Sequence, residues 1–376
     1  MDTTLKDFRR VLHAHPELSG HERETQKRIK AILASHGITD ASDVGRFGTL
    51  YTFHFGDGPH LLVRVDIDAL PIQETNDFSH RSVSEGISHK CGHDGHATIG
   101  VGLAIQLHTQ PLLSGTVSVL FQPSEENGEG AQGVLNDAKF DADEYDYVVA
   151  LHNIPGVALH NVLWRRGNFT PAVQSLVLRL QGKTSHAAEP LKGKNPTYAI
   201  AEMIGEALRL EETDEKHPSY RLITPVYSTI GSVDYGISAG YGEIHFTIRS
   251  WHQADMDRAT EEFMVEVKRI AAHHSLELST EIVAVFASNQ NHDDVIDAII
   301  ASSDSLGLTL EEKSEPFPWG EDFGLFTQCI PGAMFGLGSG VNTAALHNPD
   351  YDYPDELTTT GVNLFYEISK TICTRV

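Results

Sequence analysis

Cysteine is scarce in this chain: three in 376 residues, at Cys91, Cys329 and Cys373, with no C-x-x-C pair among them. A disulfide framework and a structural zinc ribbon are therefore excluded, and the odd count fits a reducing cytosol. Positive charge is scarce too. Lys and Arg number 28 against 52 Asp and Glu, a formal net charge of −24. No basic patch outweighs such a field, so nucleic acid, anionic membrane surfaces and polyanionic partners are excluded. Long apolar runs are also missing. None approaches the ~18 residues of a membrane span, and the start, Met1-Asp2-Thr3-Thr4-Leu5-Lys6-Asp7, lacks the apolar stretch of a signal peptide. A cytoplasmic protein with no membrane association is expected.

What the chain has in excess is histidine, 21 residues against those 28 Lys and Arg. Histidine is the commonest metal ligand, so the question is where the imidazoles cluster. Length and a 40 % apolar share suggest two domains, each with a sizeable core.

Apolar spacing predicts helices over the first ~40 residues, through Leu5, Phe8 and Leu12 and then Ile29, Ile32 and Leu33. Short apolar runs then alternate with helical stretches: Leu61 to Val65, a helix from about Ala97 to Leu107, Thr116 to Phe121, and Tyr147 to Leu151. This order predicts an α/β unit with a mixed, largely parallel sheet and helices on both faces, with its ligand site beyond the carboxyl ends of the strands. From about residue 172 to 286 the pattern becomes β-α-β-β-α-β, a ferredoxin-like α+β insert. The expected domains are 1–171 with 287–376, discontinuous and catalytic, and an inserted lid or dimerisation-type domain at 172–286. The first pattern resumes with a helix near Asp293 to Ser303, an apolar run from Ala333 to Gly338 and a last helix after Pro354.

Chemistry-bearing residues follow the predicted strands. Cys91-Gly92-His93-Asp94-Gly95-His96 packs a thiol and two imidazoles into six residues, good donors for a zinc-type ion. It also reads as a polar loop capping a helix at Asp94. Glu125-Glu126 comes just after the run ending at Phe121. One of the pair could bind metal while the other takes a proton from water; adjacent glutamates are also common on solvated surfaces. His152 follows the strand at 147 to 151, and His347 lies beyond the run at 333 to 338. Each alone also reads as an ordinary hydrogen-bonded histidine. All would converge on one sheet edge, and five ligands with a spare glutamate suit a two-metal hydrolytic site.

Asp66-Ile67-Asp68-Ala69-Leu70-Pro71, the Cys91 to His96 motif, Gln122-Pro123-Ser124-Glu125-Glu126, Leu151-His152 and Leu346-His347-Asn348-Pro349 resemble, in order, the motifs of the hippurate hydrolase and indole-acetyl-amino-acid hydrolase family. These are dinuclear metallo-amidohydrolases related to aminoacylases and carboxypeptidase G. The resemblance runs from His15-Pro16-Glu17 to His347. It implies that Cys91, His93, Glu126, His152 and His347 hold two metal ions, with Cys91 spanning both, and that Glu125 is the general base. Asp68 would orient a ligand. His186, in Thr184-Ser185-His186-Ala187, would donate to the developing oxyanion from the smaller domain. Zn, Mn, Co and Ni all accept a mixed thiolate, imidazole and carboxylate set.

One departure from the family pattern is Gly236, which stands where relatives carry a substrate-touching asparagine. Arg249 matches a family arginine and could meet a substrate carboxylate or serve in a structural salt bridge. The expected activity is hydrolysis of the amide of N-acyl amino acids or similar small amides, with the insert closing over the sheet edge. A dipeptidase or aminopeptidase of the same superfamily and a catalytically weakened, metal-retaining binding module are the alternatives. Homodimerisation through the insert is left open.

Overall fold

The structure is a computed structural model that describes residues 3–217 and 219–374. The longest run of small and apolar residues after the first strands makes the helix His93–Thr109, which is buried on every side from His93 to Ala104. Such a helix lacks a polar face and must sit inside. It packs against the strand His60–Asp66 and against the helices Thr3–Ala14 and Leu357–Cys373.

The strands before the insert are β1 (Ala41–Val44), β2 (Gly48–His54), β3 (His60–Asp66), β4 (Thr116–Gln122), β5 (Tyr147–Ile154), β6 (Val162–Trp164) and β7 (Gly167–Thr170). Within the insert come β8 (Ala172–Gln181), β9 (Ser185–His186), β10 (Arg221–Ile230), β11 (Ile237–Ser238), β12 (Tyr241–Ser250) and β13 (Glu277–Phe286). After it follow β14 (Asn289–Asn291), β15 (Leu310–Glu312) and β16 (Gly332–Gly338).

The larger sheet has the order β1-β2-β4-β3-β5-β16-β6-β15. Its centre is parallel: β3 pairs with β4 and β5, and β5 with β16. The β1–β2 and β2–β4 pairings are antiparallel, an edge hairpin that the sequence pattern did not reveal. β1 buries only Val44, so it carries no alternation to read. Leu61, Val63, Val65, Val117, Val119, Phe121 and Val149 join the helical residues in one core. Each such side chain contributes roughly 1.5–3 kcal/mol on burial.

The chain divides into two units. One runs up to Phe169 and resumes at Asn289–Phe317 and from Glu321 onward; the other is Thr170–Ser288 with Pro318–Gly320. The second holds an antiparallel sheet of order β10-β12-β8-β13. Leu176, Leu178, Leu180, Ile244, Phe246 and Ile248 on that sheet pack with Met203, Ala207, Phe263 and Val267 from the helices Thr197–Leu210 and Gln253–His273. This is the βαββαβ arrangement expected from its apolar spacing. No described helix is long and apolar enough to cross a membrane.

Beneath the central helix lies a buried ionic network. Arg9 donates to Asp94 at 3.1 Å, Asp352 at 2.7 Å and Asp355 at 2.8 Å. His13 places Nδ1 at 2.8 Å from Asp94 and Nε2 at 3.0 Å from Glu74, and Lys90 Nζ donates to the same Glu74 oxygen at 2.6 Å. Both carboxylates accept, so both ring nitrogens of His13 carry protons. Burial acts against that charge, but Asp94 and Glu74 outweigh it and raise His13 to about 9. The folded protein thus binds this proton more tightly than the unfolded chain does. The stabilisation is complete below the ordinary histidine value of 6.5 and is lost as pH rises through 9. Wild-type protein should lose on the order of 3 kcal/mol across that window relative to a His13→Gln variant. Denaturant unfolding of both between pH 6 and about 10 checks this; parallel pH dependences would refute it.

Candidate metal centre and active site

Register decides which side chains meet. β3 sets Asp66 beside Gln122 of β4 and Arg64 beside Ala150 of β5. Two residues on, Asp66 and His152 emerge on one face of neighbouring strands. His152 lies inside β5, which runs past it to Ile154, because β16 pairs Leu337 with Asn153 and Gly338 with Ile154. The chain places β4 on one side of β3 and β5 on the other, so these carboxyl ends flank a topological switch point.

Cys91 and His93 stand at the start of the central helix, joined by Gly92 at φ +99°. A Cβ at Gly92 would meet Asn153 Oδ1 at 2.5 Å. Only glycine takes this left-handed turn without strain, and it aims the thiol and the imidazole into the same space. His347 reaches the cluster from the loop beyond β16, in a left-handed conformation of φ +66° fixed by its N–H on the Lys90 carbonyl at 2.7 Å.

Hydrogen bonds settle which nitrogen each ring presents. His93 Nδ1 donates to the carbonyl and the carboxylate of Asp68, at 3.0 and 3.1 Å. Its Nε2 is buried without a hydrogen-bond partner, facing Asp66 at 3.7 Å and Glu126 at 3.8 Å. His152 Nδ1 donates to the Asn153 carbonyl at 2.9 Å, which turns Nε2 to Cys91 Sγ at 3.5 Å. Glu126 Oε1 is also buried and unmatched; its Oε2 lies 3.6 Å from His347 Nε2. His96 differs, since Nδ1 donates to Asp66 at 2.6 Å and Nε2 accepts from the Asn153 N–H at 3.3 Å. Both its nitrogens are committed.

Thiolate and imidazole donors sharing one tetrahedral ion stand about 3.3–3.6 Å apart. Cys91, His93 and His152 form one close triplet, and Cys91, Glu126 and His347 form a second, with the thiol in both. His93 Nε2 and Glu126 Oε1, both buried and unmatched, belong to these triplets. The residues therefore fit a two-ion centre.

The charge balance agrees with that fit. Burial, with Glu126 and Glu125 adding to it, pushes the Cys91 thiol well above its ordinary value. Burial lifts Glu126 to about 7 against the pull of His93. Glu125 is raised well above the usual carboxylate range by burial, then by Glu321 and Glu126. Burial takes His152 down to about 3. It also opposes a charge on His93, yet Asp66 and Asp68 prevail and hold that ring at about 10. Protons thus occupy a site rich in anionic ligands, and cations that displace them would convert thiol and carboxylic acids to the ligating forms.

His186 lies on β9 of the inserted unit, exposed, where Ile237 of β11 pairs with it. Its Nδ1 accepts from the Ala188 N–H at 3.1 Å; in the neutral ring the proton then sits on Nε2, a donor. Gly236 is next to that pairing and gives its carbonyl to the Ala187 N–H at 2.9 Å. Arg249, on β12, donates to the Pro318 carbonyl.

Sequence reasoning missed a layer of residues behind the candidate ligands. Arg64 is fully buried and donates to Asp66 at 2.7 Å, Glu321 at 2.9 Å, Asp322 at 2.7 Å and Gln122 at 2.8 Å. A readable signal existed: an arginine inside the apolar run Leu61 to Val65 must find anionic partners. Glu22, Glu321 and Asp322 carried no comparable signal.

The chain belongs to peptidase family M20/M25/M40, which matches residues 62–371. An N-acetyl-L-cysteine deacetylase of Bacillus subtilis is 29% identical over 376 residues, covering 98% of this chain and 88% of the relative. A hippurate hydrolase of Campylobacter jejuni is 26% identical over 371 residues, covering 97% and 95%. Among solved structures, a dinuclear metal binding peptidase of the M20 family from Bacillus subtilis superposes with a TM-score of 0.83 at 26% identity, covering 100% of this chain and 99% of its own.

The left-handed turn between Cys91 and His93 makes Gly92 hard to replace. Gly92→Ala should cost about 1–3 kcal/mol of stability through strain and the clash with Asn153. Denaturant midpoints measure it, and an unchanged midpoint would contradict the turn's role.

Proposed function

We propose that this chain is a metal-dependent amidohydrolase that cleaves the amide bond of N-acyl amino acids or similar small amides. In this reading Cys91, His93, Glu126, His152 and His347 hold two divalent ions, Zn, Mn, Co or Ni, with Cys91 common to both. The observation that carries it is the pair of thiol-sharing triplets with two buried, unmatched ligand atoms. The names of the two relatives, a deacetylase of an N-acetyl amino acid and a hippurate hydrolase, support the substrate class.

When bound, divalent metal supplies Lewis acidity at the scissile carbonyl and makes a neighbouring water more acidic. Glu125 accepts the proton of the attacking water and passes it to the leaving amine nitrogen. Burial and then Glu321 raise its affinity for protons, and divalent cations beside it would lower that affinity and free the carboxylate to accept one. Asp68 fixes the ring of His93 through Nδ1, and the Asn153 carbonyl does the same for His152. His186, carried by the inserted unit, is assigned the donor to the oxyanion through Nε2–H.

The same reading places the enzyme in the cytoplasm, in line with three free cysteines. It also takes the enzyme as a homodimer joined through the insert. Val226 and Tyr227 are exposed on β10, the edge strand of its sheet, which supports that association.

Purified protein loaded separately with Mn, Zn, Co or Ni should release free amino acid from a panel of N-acetyl and N-benzoyl amino acids. Glu125→Gln should keep its metal by elemental analysis while kcat falls on the order of 10²- to 10⁴-fold. Undiminished turnover would remove Glu125 from the mechanism, and activity on dipeptides alone would reassign the substrate class. His186→Ala should lower kcat by about 10²- to 10³-fold, as loss of an oxyanion donor does; an unchanged kcat would refute that role.

A further inference from the structure

The segment between β4 and the short helix Gly130–Leu135 carries both Glu125 and Glu126. Side-chain carboxylates from three distant parts of the chain grip its backbone. Glu22 accepts the Ser124 N–H at 2.8 Å, Asp68 the Glu126 N–H at 3.0 Å, and Asp322 the Ala131 N–H at 2.8 Å. Ser124, immediately before Glu125, is held at φ +57°, a conformation that a non-glycine residue keeps only when its surroundings impose it.

Glu22 is the member that joins two remote segments: the oxygen that accepts the Ser124 N–H also accepts the N–H of Gly20 in its own turn, at 3.0 Å. It occupies the N-cap position of the helix Arg23–Ser35, yet its side chain makes no capping bond there. It is fully buried and turns away from that helix to Ser124, taking the N–H and, at 3.3 Å, the hydroxyl. Its other oxygen has no partner. Burial lifts its carboxyl to about 7. A buried carboxyl with one oxygen unmatched is costly to keep. The turn that delivers it is itself fixed to the site, because Ser19 donates to Asp68 at 2.7 Å and Leu18 bridges to Ala69.

We propose that Glu22 is a positioning residue for Glu125: by accepting the Ser124 N–H it holds the left-handed turn that aims the general base. The inference rests on the assignment of Glu125 as that base. Glu22 belongs to none of the close groups of candidate ligands, so it acts on kcat through the geometry of the 123–131 segment.

Glu22→Ala removes the acceptor, Glu22→Asp keeps the charge but shortens the reach, and Glu22→Gln keeps an acceptor oxygen at the same length. The metal-loaded variants are compared for kcat, KM and metal content, and for amide hydrogen exchange in peptides spanning 123–131. Glu22→Ala and Glu22→Asp should lower kcat on the order of 10- to 100-fold with KM and metal content little changed, and should speed exchange in that segment. Glu22→Gln should recover most of both. If Glu22→Ala does not fold, Glu22→Asp carries the test. The proposal is overturned if the shortened or truncated variant keeps wild-type kcat, if exchange in the segment is unaltered, or if Glu22→Gln is as slow as Glu22→Ala. Glu125→Gln in the same assay separates the two assignments. Should it retain turnover, the base is wrong, while the exchange measurement still reports whether Glu22 holds the loop.

Discussion

Buried negative charge at one edge of a parallel sheet is the constraint on which the rest of this molecule depends. Asp66, Asp68, Glu125, Glu321 and Asp322 are all buried within a few residues of the carboxyl ends of β3 and β4 or packed against them. Mutual repulsion in a low-dielectric interior would expel such a group of charges unless each found a cation or a donor. Behind the edge the chain supplies Arg64, which pairs with Asp66, Glu321 and Asp322, while Arg9, His13 and Lys90 neutralise a separate buried pair, Asp94 and Glu74. In front stand the imidazoles of His93, His152 and His347, the Cys91 thiol and Glu126, with His93 Nε2 and Glu126 Oε1 unmatched. Divalent cations held there would match these two atoms and so couple metal binding to the rigidity of the site.

That arrangement also divides labour among chemically identical groups. His93 and His96 lie one helical turn apart in one motif, but Asp68 leaves Nε2 of the first open, whereas Asp66 and the Asn153 N–H occupy both nitrogens of the second. Glu125 and Glu126 are adjacent and both approach His93, yet the first also faces Glu321 and Asp322 and the second Cys91 and His347. Surroundings, not residue type, set the two carboxylates apart, and the proposed division between base and metal ligand rests on that difference.

Much of this was legible in the chain. The helices and strands with strong apolar periodicity lie where the spacing placed them, from the run at Leu61 to Val65 through the βαββαβ order of the insert. β1 was not legible, because a strand that buries one residue in four leaves no pattern. The candidate ligands were picked out because each was expected to follow a strand of the same sheet; in the structure His152 lies inside β5 and Cys91 and His93 stand at the start of the central helix. Their grouping into two triplets sharing Cys91 was not legible, since it depends on the left-handed Gly92 and on strand register.

The sequence by itself determined the element types, the family, and the supply of imidazole, thiol and carboxylate along the strand ends, because periodicity and residue chemistry are local properties. Tertiary structure alone decided which histidine nitrogen faces the site, where Arg64 finds its four partners, and that Glu22 reaches Ser124 across 102 residues of chain. These are contacts between segments remote in sequence, and no local pattern encodes a hydrogen bond whose partner arrives only when the sheet is assembled.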